Sequence, residues 1–184
     1  MTRGYSRVDL CGRDASVPEQ FLNGSEIRSA FHHMGGHGVA QHMSNYSETY
    51  RKAVTTDMCD MYGHMNVQFY VAALSDSFFS LMTAVGLGKS AVEKHRIGLV
   101  AVNMNIDYLS ELAAGDVIFM QGAIVSASGK KLTCKWKLYD QATNIQAMEA
   151  TVLYVCMDLD SRGSRNIPDH LLKAAQDVAI SIED

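Results

Sequence analysis

The chain has 184 residues, 47% of them hydrophobic and 20% charged, with 2 prolines, enough for one globular domain with a core and unlike a disordered or collagenous chain. The 16 Lys+Arg set against 20 Asp+Glu leave a net charge of -4, which argues against a nucleic-acid binder that works by bulk positive charge. No apolar run reaches the roughly 18–20 residues that a transmembrane helix needs, so no membrane partner is expected.

Residues 1–42 stand apart from the rest. They hold six glycines and four of the 7 histidines (His32, His33, His37 and His42) without a sustained period of 2 or 3.6, although Val17–Leu22 has the makings of a short helix. No carboxylate or cysteine joins those histidines at ligand spacing, so no metal site is expected. Arg3 and Arg7 lack the apolar stretch of a secretory signal behind them. The expectation is a flexible or non-native N-terminal extension over 1–42 (a flexible segment, a linker scar, or upstream translation ahead of a true start at Met34 or Met43) and a folded domain over 43–184. Cys11, Cys59, Cys134 and Cys156 show no CxxC spacing and read as free thiols of a reducing, cytoplasmic compartment.

Glu48–Thr56 reads as a first strand. From Asn66 to about Gly86 the apolar residues Phe69, Tyr70, Ala73, Leu74, Phe78, Leu81, Met82 and Val85 recur at spacings of three and four, which predicts a helix closed by Gly86 and Gly88. Val71, Phe79 and Ala84 widen its apolar stripe, so the helix is expected to be buried on more than one side. Val100, Val102, Met104, Ile106 and Tyr108 alternate with polar residues, as do Leu132, Cys134, Trp136 and Leu138; each set predicts a strand with one buried face. Val117–Val125 and Ile145–Met157 read as more deeply buried strands. Gly115-Asp116, Ser128-Gly129-Lys130 and Thr143-Asn144 read as hairpin-type turns, making the last three strands an antiparallel meander. A short helix is expected after Pro168. The sum is an α+β fold: an antiparallel sheet wrapped around one long central helix.

The loop before that helix runs from Asp57 to Asn66 and contains Asp60-x-x-Gly63-His64-Met65-Asn66, with Tyr70 four residues later. This pattern resembles the motif of hotdog-fold acyl-CoA thioesterases of the 4-hydroxybenzoyl-CoA thioesterase-like family. The resemblance extends over Ser47–Leu172, through Tyr108-Leu109, Gly115-Asp116 and Arg165-Asn-Ile-Pro168. It implies hydrolysis of an acyl-CoA to a carboxylic acid and free coenzyme A, with coenzyme A as part of the substrate and no cofactor or metal. It also implies a homodimer or homotetramer with active sites at the subunit interface.

Thioester hydrolysis needs an activated water or nucleophile beside the carbonyl, and donors aimed at the developing oxyanion. A carboxylate just ahead of a helix supplies the first, and the unpaired N–H groups of its first turn supply the second. Asp60 is the expected general base or nucleophile, the resemblance leaving the two roles open; its bland alternative is a loop aspartate that turns or caps the chain. The backbone N–H of Val67 is the expected oxyanion donor. His64 either orients Asp60 or is satisfied by neighbouring backbone. Asn66 reads as the helix cap and Gly63 as a backbone hinge or a point of close substrate approach. Met65, Phe69 and Tyr70, with Met104, line the expected acyl pocket or else pack in the core. Methionine's flexibility predicts a pocket that tolerates medium, branched or aromatic groups.

Three places depart from the family pattern: Val67 stands where many relatives carry a second asparagine, Met58 where many carry a carboxylate, and Ser75 where many carry a glutamate. Asp76, next to Ser75, is the runner-up catalytic carboxylate, since a second branch of these enzymes takes it from the helix. Two other functions remain: a hydratase or dehydratase of enoyl or 3-hydroxyacyl thioesters, and a non-catalytic acyl-CoA binding module. No P-loop, GxGxxG or HExxH motif occurs, which leaves nucleotide hydrolysis, dinucleotide binding and zincin chemistry unsupported.

Overall fold

In the computed structural model residues 5–10, 13–18 and 46–180 are described, and the chain divides into two compact units, Met1–Met43 and Ser44–Asp184. The first contains an antiparallel hairpin of β1 (Tyr5–Leu10) and β2 (Arg13–Pro18). Sequence periodicity does not anticipate this hairpin, and Val17 and Pro18, read as opening a helix, close β2 instead. The four N-terminal histidines lie outside the described residues.

The second unit is a five-stranded antiparallel sheet with one long helix laid against it. Its elements are β3 (Ser47–Ala53), α1 (Val67–Ala84), α2 (Lys89–His95), β4 (Ile97–Tyr108), β5 (Val117–Ser128), β6 (Lys131–Asp140), β7 (Gln146–Asp158) and α3 (Asp169–Asp177). The strand order is β3-β5-β6-β7-β4, with every neighbouring pair antiparallel. Strands β5, β6 and β7 form the expected meander. Gly129 adopts φ +56 in the two-residue turn between Ser128 and Lys131, and Asn144 adopts φ 56 in the next connection. Both angles favour residues that tolerate the left-handed region. Register shifts in β3, β4, β5 and β7 mark bulges, and bulges bend strands.

Alternation along β6 and β7 decides the core. Leu132, Cys134, Trp136 and Leu138 are buried on one face, beside Met148, Ala150, Val152, Tyr154 and Cys156 of β7. Gly122 of β5 lies opposite Trp136, and a Cβ there would meet the indole at 2.3 Å. The missing side chain makes room for the ring. Against this face α1 lays Tyr70, Ala73, Leu74, Ser77, Phe78, Leu81 and Met82, and Phe78 stacks on Tyr154 with ring centroids 4.2 Å apart.

Asn66 caps α1, its side-chain oxygen accepting from the Gln68 N–H at 3.1 Å. At the other end Gly86 adopts φ +81, Leu87 N–H donates to Met82 O and Gly86 N–H to Thr83 O. That pair of bonds is the Schellman ending expected from a C′ glycine. Helix α3 follows Pro168 and docks on β5 through Leu171, Ala175 and a Gln176 side-chain bond to Ala127 O. No single described helix is long and apolar enough to cross a membrane; α1 and α2 pass that test only together and are bent 72° apart.

Four expectations need correction. Strand β3 ends at Ala53 because Thr56–Met58 forms a single 3-10 turn. Helix α1 is buried along one stripe, since Phe79 and Ala84 are exposed and Val71 half-buried within this chain. Strand β4 does not bury its alternating face: among the described residues it pairs only with β7, at the sheet edge, and it leaves Val100, Val102, Met104 and Tyr108 exposed. Gly115-Asp116 turns the chain without making a hairpin, because β4 and β5 lie at different positions in the sheet.

Candidate active site

The segment Met58–Asn66 folds into a small hairpin of its own at the start of α1. Met58, buried in the core, anchors one end, and its carbonyl accepts the Asn66 N–H at 2.9 Å. Cys59 pairs with Met65. Asp60 N–H donates to His64 O at 3.1 Å and Gly63 N–H to Asp60 O at 3.0 Å, closing the four-residue turn Asp60–Gly63. Gly63 adopts φ +90 with open space around the position of a Cβ. Within this chain its requirement is therefore conformational.

Asp60 Oδ1 accepts the Tyr62 N–H at 2.9 Å, a bond that belongs to the turn. The same oxygen stands 4.0 Å from His64 Nδ1. One carboxylate oxygen is thus committed to the loop, and Oδ2 accepts no hydrogen bond among the described residues. His64 Nε2 stands 3.9 Å from Glu111 Oε1, on the segment between β4 and β5. The Tyr62 ring stacks over the imidazole at 6.0 Å.

The capping of α1 sorts its first-turn donors. Gln68 N–H goes to the Asn66 side chain and Phe69 N–H to Asn66 O. The Val67 N–H has no acceptor among the described residues, and Val67 is half exposed. It lies at the positive end of an 18-residue helix, where backbone N–H groups favour negative charge.

Tyr70 is buried one turn further along, its ring edge-on to Tyr108 at 5.2 Å and its hydroxyl 3.5 Å from Ser110 O. Burial, with the nearby Tyr108 ring second, pushes its phenol up to about 12. Tyr70 therefore stays a neutral hydroxyl at physiological pH. Met65 belongs to the core, Phe69 is half-buried against it, and Met104 is exposed on β4. Asp76 sits nine residues beyond Val67, about 14 Å along the helix, exposed and close enough to Tyr50 of β3 to add to the rise that burial causes in that phenol. The fold brings Asp60, Gly63, His64, Asn66 and the Val67 N–H together and leaves Asp76 elsewhere on α1. Among the described residues no three His, Cys, Asp or Glu side chains gather as metal ligands would.

Sequence reasoning misses Glu111. It reaches His64 through the bridge between His64 and Ala113 and the 2.6 Å bond from Met65 N–H to Leu112 O. No local pattern around Glu111 announces that pairing.

Residues 54–175 match the model of the thioesterase-like superfamily. No curated protein matches the sequence. Among solved structures the chain is similar to a 1,4-dihydroxy-2-naphthoyl-CoA thioesterase from Synechocystis, at 19% identity over 70% of this chain and 94% of the other, with a TM-score of 0.61. A Staphylococcus aureus protein solved in complex with CoA is 21% identical over 79% of this chain and 93% of its own, with a TM-score of 0.66. A DHNA-CoA thioesterase from the same organism is 13% identical over 72% and 90%, with a TM-score of 0.65. At these identities the likeness is one of fold.

Proposed function

Because the chain belongs to the thioesterase-like superfamily, we propose that it hydrolyses acyl-CoA thioesters to a carboxylic acid and free coenzyme A. The observation that carries this reading is the short hairpin Met58–Asn66, which sets Asp60 just ahead of α1 and leaves the Val67 N–H uncommitted at the helix's positive end. Asp60 Oδ2 takes a proton from water, the hydroxide attacks the thioester carbonyl, and the oxygen that becomes negative receives the Val67 N–H. Collapse of that intermediate expels the CoA thiolate. In the alternative course Asp60 attacks the carbonyl itself and water then cleaves the mixed anhydride. Neither course routes a step through a metal or cofactor; coenzyme A enters as substrate.

The acyl group lies, in this reading, toward Met65, Phe69, Tyr70 and Met104. Similarity to a 1,4-dihydroxy-2-naphthoyl-CoA thioesterase supports an aromatic acyl group among those accepted. The exposed apolar residues of edge strand β4 support self-association into a homodimer or homotetramer, which would cover that edge. We place the protein in the cytoplasm, where acyl-CoAs are available and its cysteines stay reduced.

The test is thiol release from a panel of aliphatic, branched and aromatic acyl-CoAs. Turnover of at least one, with the free acid as product, is expected. Hydration of enoyl-CoA without thiol release would establish the hydratase instead, and tight binding without turnover the binding module.

A further inference from the structure

We propose that Glu111 is a positioning residue for this site, holding the His64 imidazole so that Nδ1 faces Asp60. The proposal rests on the thioester-hydrolysis reading above. His64 lies between two carboxylates on opposite sides of its ring: Asp60 Oδ1 is 4.0 Å from Nδ1 and Glu111 Oε1 is 3.9 Å from Nε2. Both separations are ion-pair distances, longer than a direct hydrogen bond, so the coupling is electrostatic. A carboxylate 3.9 Å from Nε2 attracts the polar N-bearing edge of the imidazole by charge rather than by a hydrogen bond. Glu111 thereby biases the ring toward the orientation in which Nδ1 faces Asp60.

The backbone makes this approach more than a coincidence of two exposed loops. His64 pairs with Ala113, Met65 N–H donates to Leu112 O, and Leu112 is 1% exposed. Ala113 N–H donates to Asp116 Oδ2, and Gly115 N–H to Val54 O. Glu111 is therefore delivered to His64 by a segment tied down on both sides. The groups facing the imidazole are Asp60 from its own loop, Glu111 from the β4–β5 segment, and the Tyr62 ring.

Glu111→Gln keeps the size and removes the charge. Glu111 is 82% exposed, and exposed ion pairs are weak, so kcat should fall only about two- to fivefold. KM for acyl-CoA should stay unchanged, because Glu111 acts on the ring and not on substrate. In a His64→Gln background the same substitution should have no further effect; a purely structural role would lower kcat equally in both backgrounds and overturn the proposal. An unchanged kcat in Glu111→Gln would overturn it as well. Nitrogen-15 spectra of the histidines give a second readout without substrate: the His64 Nε2 resonance should move in Glu111→Gln at unchanged melting temperature, and an unmoved resonance refutes the contact. Should the parent protein turn over no acyl-CoA, the hydrolase reading fails while the spectrum still decides whether Glu111 positions His64.

Discussion

Replacing Asp60 by Asn separates the chemical role of this residue from its architectural one. The architecture asks one thing of the side chain, an oxygen to accept the Tyr62 N–H at 2.9 Å, and the amide oxygen of Asn provides it. The remaining loss is the pairing with His64 at 4.0 Å, which for a partly exposed pair amounts to about 0.2–1 kcal/mol. Folding should hardly change. Turnover should change a great deal, because an amide neither deprotonates water nor attacks a carbonyl. General-base catalysis contributes about 10²–10⁴-fold, or about 3–5 kcal/mol of barrier at 1.36 kcal/mol per tenfold. Thiol release under saturating acyl-CoA should show that fall in kcat, with KM and melting temperature close to those of the parent. His64→Ala and Asp76→Asn should lose less. An Asp60→Asn protein within a few-fold of full activity would reduce Asp60 to a turn residue. A dead Asp76→Asn protein would move the chemistry onto α1.

The Gly122→Ala variant drives a methyl to 2.3 Å from the Trp136 ring; such overpacking costs about 1–3 kcal/mol, and thermal unfolding should occur about 3–10 °C lower, whereas a parental melting temperature would show that the indole has room to move. Asp158 is held down to about 2 by the Ser161 N–H and, after it, by Arg165 and the Asp160 N–H. A depressed carboxylate stabilises the fold above its unfolded value of about 3.9 and loses that contribution as the pH falls toward about 2, so Asp158→Asn should flatten the acid limb of the stability profile in that window; an unaltered limb would contradict the assignment. In sedimentation the protein should run as a dimer or larger, because β4 presents an edge unpaired among the described residues; a stable, fully active monomer would refute this.

Local chemistry is what the sequence displays, and the elements resting on it are where expectation and structure agree. The Asn66 cap, the glycine ending of α1, the turn at Gly129 and the alternation of β6 each depend on residues a few positions apart. The loop that carries Asp60 and His64 up to Val67 is legible for the same reason, its turn and the helix start being set by residues a few positions apart. What escapes is what topology decides. Alternation in β4 shows which residues share a face and is silent on whether anything covers it, so its exposure is a surprise. The turn at Gly115 looks like a hairpin because turn chemistry does not name the strand's partner. Helix α2 has only seven residues, too few for a helical period to stand out. Glu111 meets His64 only after the β4–β5 segment has been tied to the Met58–Asn66 loop.

The cap of α1 carries a constraint of its own. Asn, Asp, Ser and Thr all cap helices well, and as a matter of folding position 66 has little reason to choose among them. Here, however, the capped Gln68 N–H is next in line to the Val67 N–H, which in the proposed reaction must welcome a newly formed negative oxygen. A capping aspartate would fix a full negative charge beside that oxygen and repel it throughout the step. A neutral cap keeps the helix start both closed and electropositive, so the choice of amide over carboxylate at one position reconciles the stability of the helix with the charge its first turn has to receive.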